Sequence, residues 1–354
     1  MKKRFFMLLL FSIAITICYG ETPLQVASKR YPVPYEKETL LFPYESSHDL
    51  FVRNDSIERV LFVIHSASYD AKQYYANGLS LLEKVPQEKD RTIIIAPHFL
   101  TGNSVRELSN PDFLYWQVTP FWGSSRGFFK SRGFLKNRNH RISAYEVIDT
   151  ILTNLIETGY FPNLQEIVIL GHSAGGQMVN RYAACNLVEE QIAKPKHINL
   201  KYVVMAPSSY VYFSKERPVN GSMTKFAIPE NPDAHYNNWG YGLDNWYLYQ
   251  RQNHMTADGV TQNYPHKTIL YLVGSKDTAQ DDFLDKSPGA MLQGPNRLVR
   301  GQLYYNYLRH LYGDEIKKYQ HFRIIQDTGH WGKGLMSSPD CVKFVFNSSS
   351  KENQ

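Results

Sequence analysis

The stretch Glu166-Ile-Val-Ile-Leu-Gly-His-Ser-Ala-Gly-Gly-Gln-Met-Val-Asn-Arg-Tyr-Ala183 decides the fold. It opens on Ile167 to Leu170, an apolar run of the length and composition of a buried strand, and closes on Gln177 to Leu187, a run of helix formers. Between them lies Gly171-His-Ser-Ala-Gly-Gly176. A G-x-S-x-G caught between a strand and a helix is a nucleophile elbow. Its glycines are required because strand and helix approach too closely for side chains, and its serine sits in strained backbone with the hydroxyl exposed.

Similar apolar runs recur on both sides of this stretch. Segments 59–65 and 91–97 precede it, and segments 201–206, 268–274 and 321–325 follow it. Such continuous apolar strands are buried on both faces, as in a parallel sheet. Helical patterns fall between them. Ser143-Ala-Tyr-Glu146 reads as a capping box opening a helix that Gly159 stops, a second helix ends at Gly313, and Ser338-Pro339 opens the last one. The order of strand and helix implies an α/β chain with a mostly parallel central sheet and helices on both faces. Residues 21–47 read as an extended lead-in, followed by a hairpin around Leu50-Phe-Val-Arg53. Two long aromatic-rich insertions, about 101–141 and 207–265, would emerge at the carboxyl edge of the sheet, where active sites of open α/β folds lie. Their aromatics have two readings, as the wall of an acyl pocket or as a minor core beneath long loops.

Lys2-Lys-Arg4, an apolar stretch from Phe5 to Ile17 and Cys18-Tyr-Gly20 form a leader for export with cleavage near Gly20. Lipid attachment at Cys18 is disfavoured by Ile17, because that route needs a small residue there. The expected organisation is a signal peptide at 1–20, one α/β domain over 21–347 and a polar tail at 348–354. No later stretch is long and apolar enough for a membrane span. The formal charge of +6 loses three basic residues with the leader, and the remainder is too mild to argue for a nucleic-acid partner. The basic run Arg126, Lys130, Arg132, Lys136, Arg138 and Arg141 reads as a solvated face, with an acidic polymer or a membrane surface as the alternative. In the mature chain Cys185 and Cys341 could pair or stay as buried thiols.

A serine hydroxyl attacks a carbonyl only when a base takes its proton and an acid orients that base. In this architecture the partners follow in the order serine, acid, histidine, each just past a strand end. Ser173, Asp277 and His330 meet that order, with Asp281 and Asp282 as the alternative acids. The developing oxyanion needs backbone donors. Ala174 N–H is one candidate, and the loop His65-Ser66-Ala67-Ser68 supplies the other, with Ala67 first and Ser66 second. His65 reads as a loop organiser. This chemistry requires no metal and no organic cofactor.

With these motifs assembled, the chain resembles the α/β-hydrolase superfamily over nearly its whole mature length. Its elbow, together with Ala206-Pro-Ser-Ser-Tyr210, Tyr236-Asn-Asn-Trp-Gly-Tyr-Gly242 and Gln293-Gly-Pro-Asn-Arg297, is similar to a group of exported hydrolases likened to polyester depolymerases. The resemblance implies the α/β-hydrolase fold and a Ser-His-Asp mechanism carried by Ser173, His330 and Asp277. The expected activity is hydrolysis of a small-molecule or polymer ester. An acyltransferase or peptidase using the same residues, and a binding protein on the same fold, are the alternatives.

Overall fold

The computed structural model describes residues 25–102, 105, 113–116, 119–123, 127–129, 138–140 and 142–347. The leader, the polar tail and the side chains of the basic run lie outside the described residues.

The apolar runs assemble into one eight-stranded sheet built from β1 (Lys29–Tyr35), β2 (Glu38–Ser46), β3 (Arg59–Ile64), β4 (Thr92–Pro97), β5 (Glu166–His172), β6 (Asn199–Met205), β7 (Thr268–Gly274) and β8 (Gln320–Ile325). Their spatial order is β1-β2-β4-β3-β5-β6-β7-β8. The six strands from β4 to β8 are mutually parallel, and the β1–β2 hairpin closes one edge in antiparallel pairing. Side chains alternate across the sheet, so each strand feeds two cores. Val60, Phe62 and Ile64 of β3 join Ile167 and Ile169 of β5 in one core, while Leu61 and Val63 join Val168 and Leu170 in the other.

Helices cover both faces. Helices α2 (Ala144–Glu157) and α3 (Ala174–Cys185) pack into the first core, as does much of α4 (Arg297–Tyr312). Helix α1 (Ala71–Leu82) and the carboxyl-terminal pair α5 (Gly332–Met336) and α6 (Pro339–Phe346) close the second. The caps follow the sequence signals. Ser143 and Glu146 form a reciprocal capping box, and Ser338 accepts from Cys341 N–H with Pro339 at the first helical position.

The hairpin was expected near residues 50–53, but it lies at 29–46, inside the stretch read as an extended lead-in. Pro32 and Pro34 obscure it. Both sit in β1, an edge strand paired with β2 alone, where a missing N–H breaks no central ladder. The aromatics of the second insertion resolve in favour of the core. Tyr210, Tyr212, Phe213, Trp239 and Tyr249 are buried and belong to the same apolar cluster as β3 and β5. Cys185 and Cys341 are buried free thiols.

Candidate active site

The elbow is forced by three close backbone approaches. A Cβ on Gly175 would stand 2.5 Å from the carbonyl oxygens of Ile64 and His65 at the end of β3. One on Gly176 would stand 2.6 Å from Met205 O at the end of β6, and one on Gly171 would collide with the Gly175 carbonyl. Helix α3 can therefore start against two strand ends at once. Ser173 sits at the turn with φ 57° and ψ −116°, and its N–H donates to Met205 O at 2.9 Å. This left-handed backbone is costly for a non-glycine residue and is held here by the surrounding strands.

Two loops deliver Asp277 and His330. Gly274 ends β7, and any side chain there would run into the Thr328 and Gly329 carbonyls. The loops are stitched together by Ser275 N–H to Ile325 O, Lys276 N–H to Thr328 O, and Asp327 N–H to Ser275 Oγ, each at 2.9 Å. His330 Nδ1 then meets Asp277 Oδ2 at 2.8 Å. Asp277 is buried, and the Arg297 guanidinium lies 3.7 Å from its Oδ1. Arg297 also binds Asp281 through two 3.0 Å hydrogen bonds, which hold that carboxylate below the usual range, while Asp282 is exposed. Among the described residues Asp277 is the carboxylate that meets His330.

Ser173 and His330 line one cavity of about 370 Å³, together with Ser66 and Ala67. No hydrogen bond joins the serine hydroxyl to the imidazole among the described contacts. Ala174, the other proposed donor, is the first residue of α3 and is buried. His65 anchors the loop that carries Ser66 and Ala67. Burial pushes its pKa down to about 3, so the ring is neutral. Nδ1 lies 2.8 Å from Ser66 O, and Nε2 accepts Phe99 N–H at 3.0 Å. Because Nε2 accepts, the proton is on Nδ1 and is donated to Ser66 O. Tyr69 N–H donates to the same carbonyl at 3.1 Å. Fixing Ser66 C=O fixes the trans peptide, and Ala67 N–H points the opposite way.

Several wall residues carried no sequence signal that was used. Tyr74 and Asn77 reach the cavity from one face of α1. Tyr74 Oη lies 2.7 Å from His172 Nδ1, and the His172 ring packs on His330 with centroids 4.4 Å apart. Burial, reinforced by His330, lowers the His172 pKa well below the usual value. A neutral His172 ring places no charge beside His330. Trp331 and Lys333, which also line the cavity, stand next to His330 in sequence, and that adjacency was a usable signal.

No family model matches the chain, and no curated sequence matches it. Among solved structures it is similar to poly(aspartic acid) hydrolase-1 from Sphingomonas sp. KT-1, with 19% identity, a TM-score of 0.56, and 92% of this chain and 100% of that one covered. It is also similar to LpqC, a poly(3-hydroxybutyrate) depolymerase from Bordetella parapertussis, with 18% identity, a TM-score of 0.55, and 87% and 84% of the two chains covered. The chain has the α/β-hydrolase fold. The structures it resembles are hydrolases and polymer-degrading enzymes.

Proposed function

We propose that this protein is an exported serine hydrolase that cleaves a carboxylic ester through an acyl-enzyme. The observation that carries the reading is the 2.8 Å His330–Asp277 pair facing the cavity in which Ser173 stands on its elbow. Asp277 holds His330 as the Nδ1–H tautomer and leaves Nε2 free to take the Ser173 proton. That transfer needs Oγ and Nε2 within about 2.6–3.2 Å, a contact that commonly tightens only when substrate is bound. Ser173 Oγ then attacks the ester carbonyl, and the Ala67 and Ala174 amides receive the oxyanion. His330 returns the proton to the departing alcohol, and a water activated the same way releases the acid. Support for an ester in particular comes from the poly(3-hydroxybutyrate) depolymerase sharing this fold.

The test is labelling of the mature protein by a fluorophosphonate, beside turnover of a short-chain 4-nitrophenyl ester. Ser173→Ala should abolish labelling and lower kcat by on the order of 10^6. A well-folded wild type that neither labels nor turns over would end the enzyme reading. Partition of the acyl group between water and added alcohols or amines separates a hydrolase from an acyltransferase.

A further inference from the structure

We infer that the site is built for an anionic ester, one whose apolar body lies against Phe283 and Trp331 and whose free carboxylate is met by Lys333. This rests on the hydrolase reading and names its substrate class.

The charge of the cavity wall is one-sided. Its lining contains Lys333 and no aspartate or glutamate. Lys333 is exposed, and its ammonium has no hydrogen bond or ion pair among the described residues, although its backbone carbonyl accepts from Ser337 N–H at 2.9 Å. The acids flanking these residues are engaged or lie outside the lining. Asp277 holds His330, Asp281 is bound by Arg297, Asp70 caps α1 through Gln73 N–H, and Asp282 stands outside the lining. An ammonium with no internal partner at the wall of an acid-free cavity favours a negatively charged ligand and opposes a cationic one.

The apolar half of the argument is two rings held out in water. Phe283 is 72% exposed and Trp331 60% exposed, yet both line the cavity. Neither is loose. Phe283 N–H donates to Asp281 Oδ1 at 3.0 Å, its carbonyl accepts from Ser208 Oγ at 3.3 Å, and Asp281 is itself fixed by Arg297. Trp331 donates its N–H to Gly329 O at 2.9 Å, and its ring lies across Gly334 so closely that no side chain fits there. Aromatic rings exposed on pinned backbone beside a nucleophile offer stacking surface to a ligand at little ordering cost.

The experiment compares two esters of one chain length, 4-nitrophenyl hydrogen adipate and its distal methyl ester, in wild type, Lys333→Ala, Lys333→Glu and Lys343→Ala as a distant control. The readout is the ratio of kcat/KM for the anionic over the capped ester. Wild type should prefer the anion, and the preference should shrink as salt rises from about 0.02 to 0.5 M. Lys333→Ala should reduce the ratio about fivefold, Lys333→Glu should reverse it, and the control should keep it. A ratio indifferent to the charge at 333 while both esters turn over would overturn this inference alone. Absence of both turnover and fluorophosphonate labelling in wild type would overturn the hydrolase reading and this inference with it.

Discussion

At the scale of single residues, the cavity depends on buried polar side chains that are neutral by environment. His65 illustrates the cost. Its folded pKa of about 3 lies far below the unfolded value of about 6.5. Above pH 6.5 both states are neutral and the group contributes no pH dependence. Below that, the unfolded chain takes up a proton that the folded chain refuses, so stability falls as pH drops until about 3. The expected excess slope is about 1.4 kcal/mol per pH unit well below 6.5. Urea unfolding of wild type and His65→Gln between pH 7 and 5 checks it, and equal slopes would show that His65 is not the group that titrates. Tyr74 makes a second case. Removing its hydroxyl in Tyr74→Phe strands the buried Nδ1 of His172 and should cost about 1–3 kcal/mol in urea unfolding. Ser173, Asp277 and His330 were legible because each follows a strand end in an order that the elbow dictates. Tyr74 was not, because an aromatic at helical spacing reads as core whether or not its hydroxyl turns toward a cavity.

At the scale of elements, the site is set by where strand ends let other backbone pass. Three carbonyls at the ends of β3 and β6 leave room for glycine and for no side chain where α3 begins. Gly175→Ala is therefore expected to destabilise the fold by about 2–3 kcal/mol, read from a denaturant midpoint, because the atoms it meets are backbone and cannot rotate aside. A loss under about 0.5 kcal/mol would mean that the helix start can shift freely. The second insertion is tied down by buried cations as well as aromatics. Arg217, 1% exposed, donates to the carbonyls of Ser214, Tyr236 and Tyr241 and lies over the Tyr212 ring. Arg181 similarly binds Gly240 O and Ser209 Oγ at 3.0 Å each. These contacts explain why the insertion's aromatics were ambiguous in sequence. Their burial is decided by Arg181 on α3 and by Arg217 within the insertion, and those pairings have no periodicity to read. The central parallel strands were legible because they are apolar on both faces, whereas the β1–β2 hairpin carries prolines that an edge tolerates and a pattern search rejects.

At the scale of the molecule, the sheet separates two cores, and the two cysteines fall on opposite sides of it. Cys185 belongs to the cluster shared by α2 and α3, and Cys341 to the cluster beneath α6. Burial raises the Cys185 pKa well above the usual thiol value and pushes Cys341 up to about 12, so neither is a thiolate near neutral pH. Reaction with a disulfide reagent requires both thiolate and access. A chain shortened by residues 1–20, and so lacking Cys18, should therefore show no reactive thiol when native and two when unfolded in denaturant without reductant. Reductant should leave its Tm unchanged, because no cross-link constrains the unfolded chain. A Tm that falls by several degrees with reductant, or an unfolded chain that titrates fewer than two thiols, would mean that Cys185 and Cys341 are joined in a disulfide. In the fold described the two thiols lie in separate cores and are unpaired. Without a cross-link, stability rests on packing on both faces of the sheet, the same packing that fixes the strand ends from which Ser173, Asp277 and His330 extend.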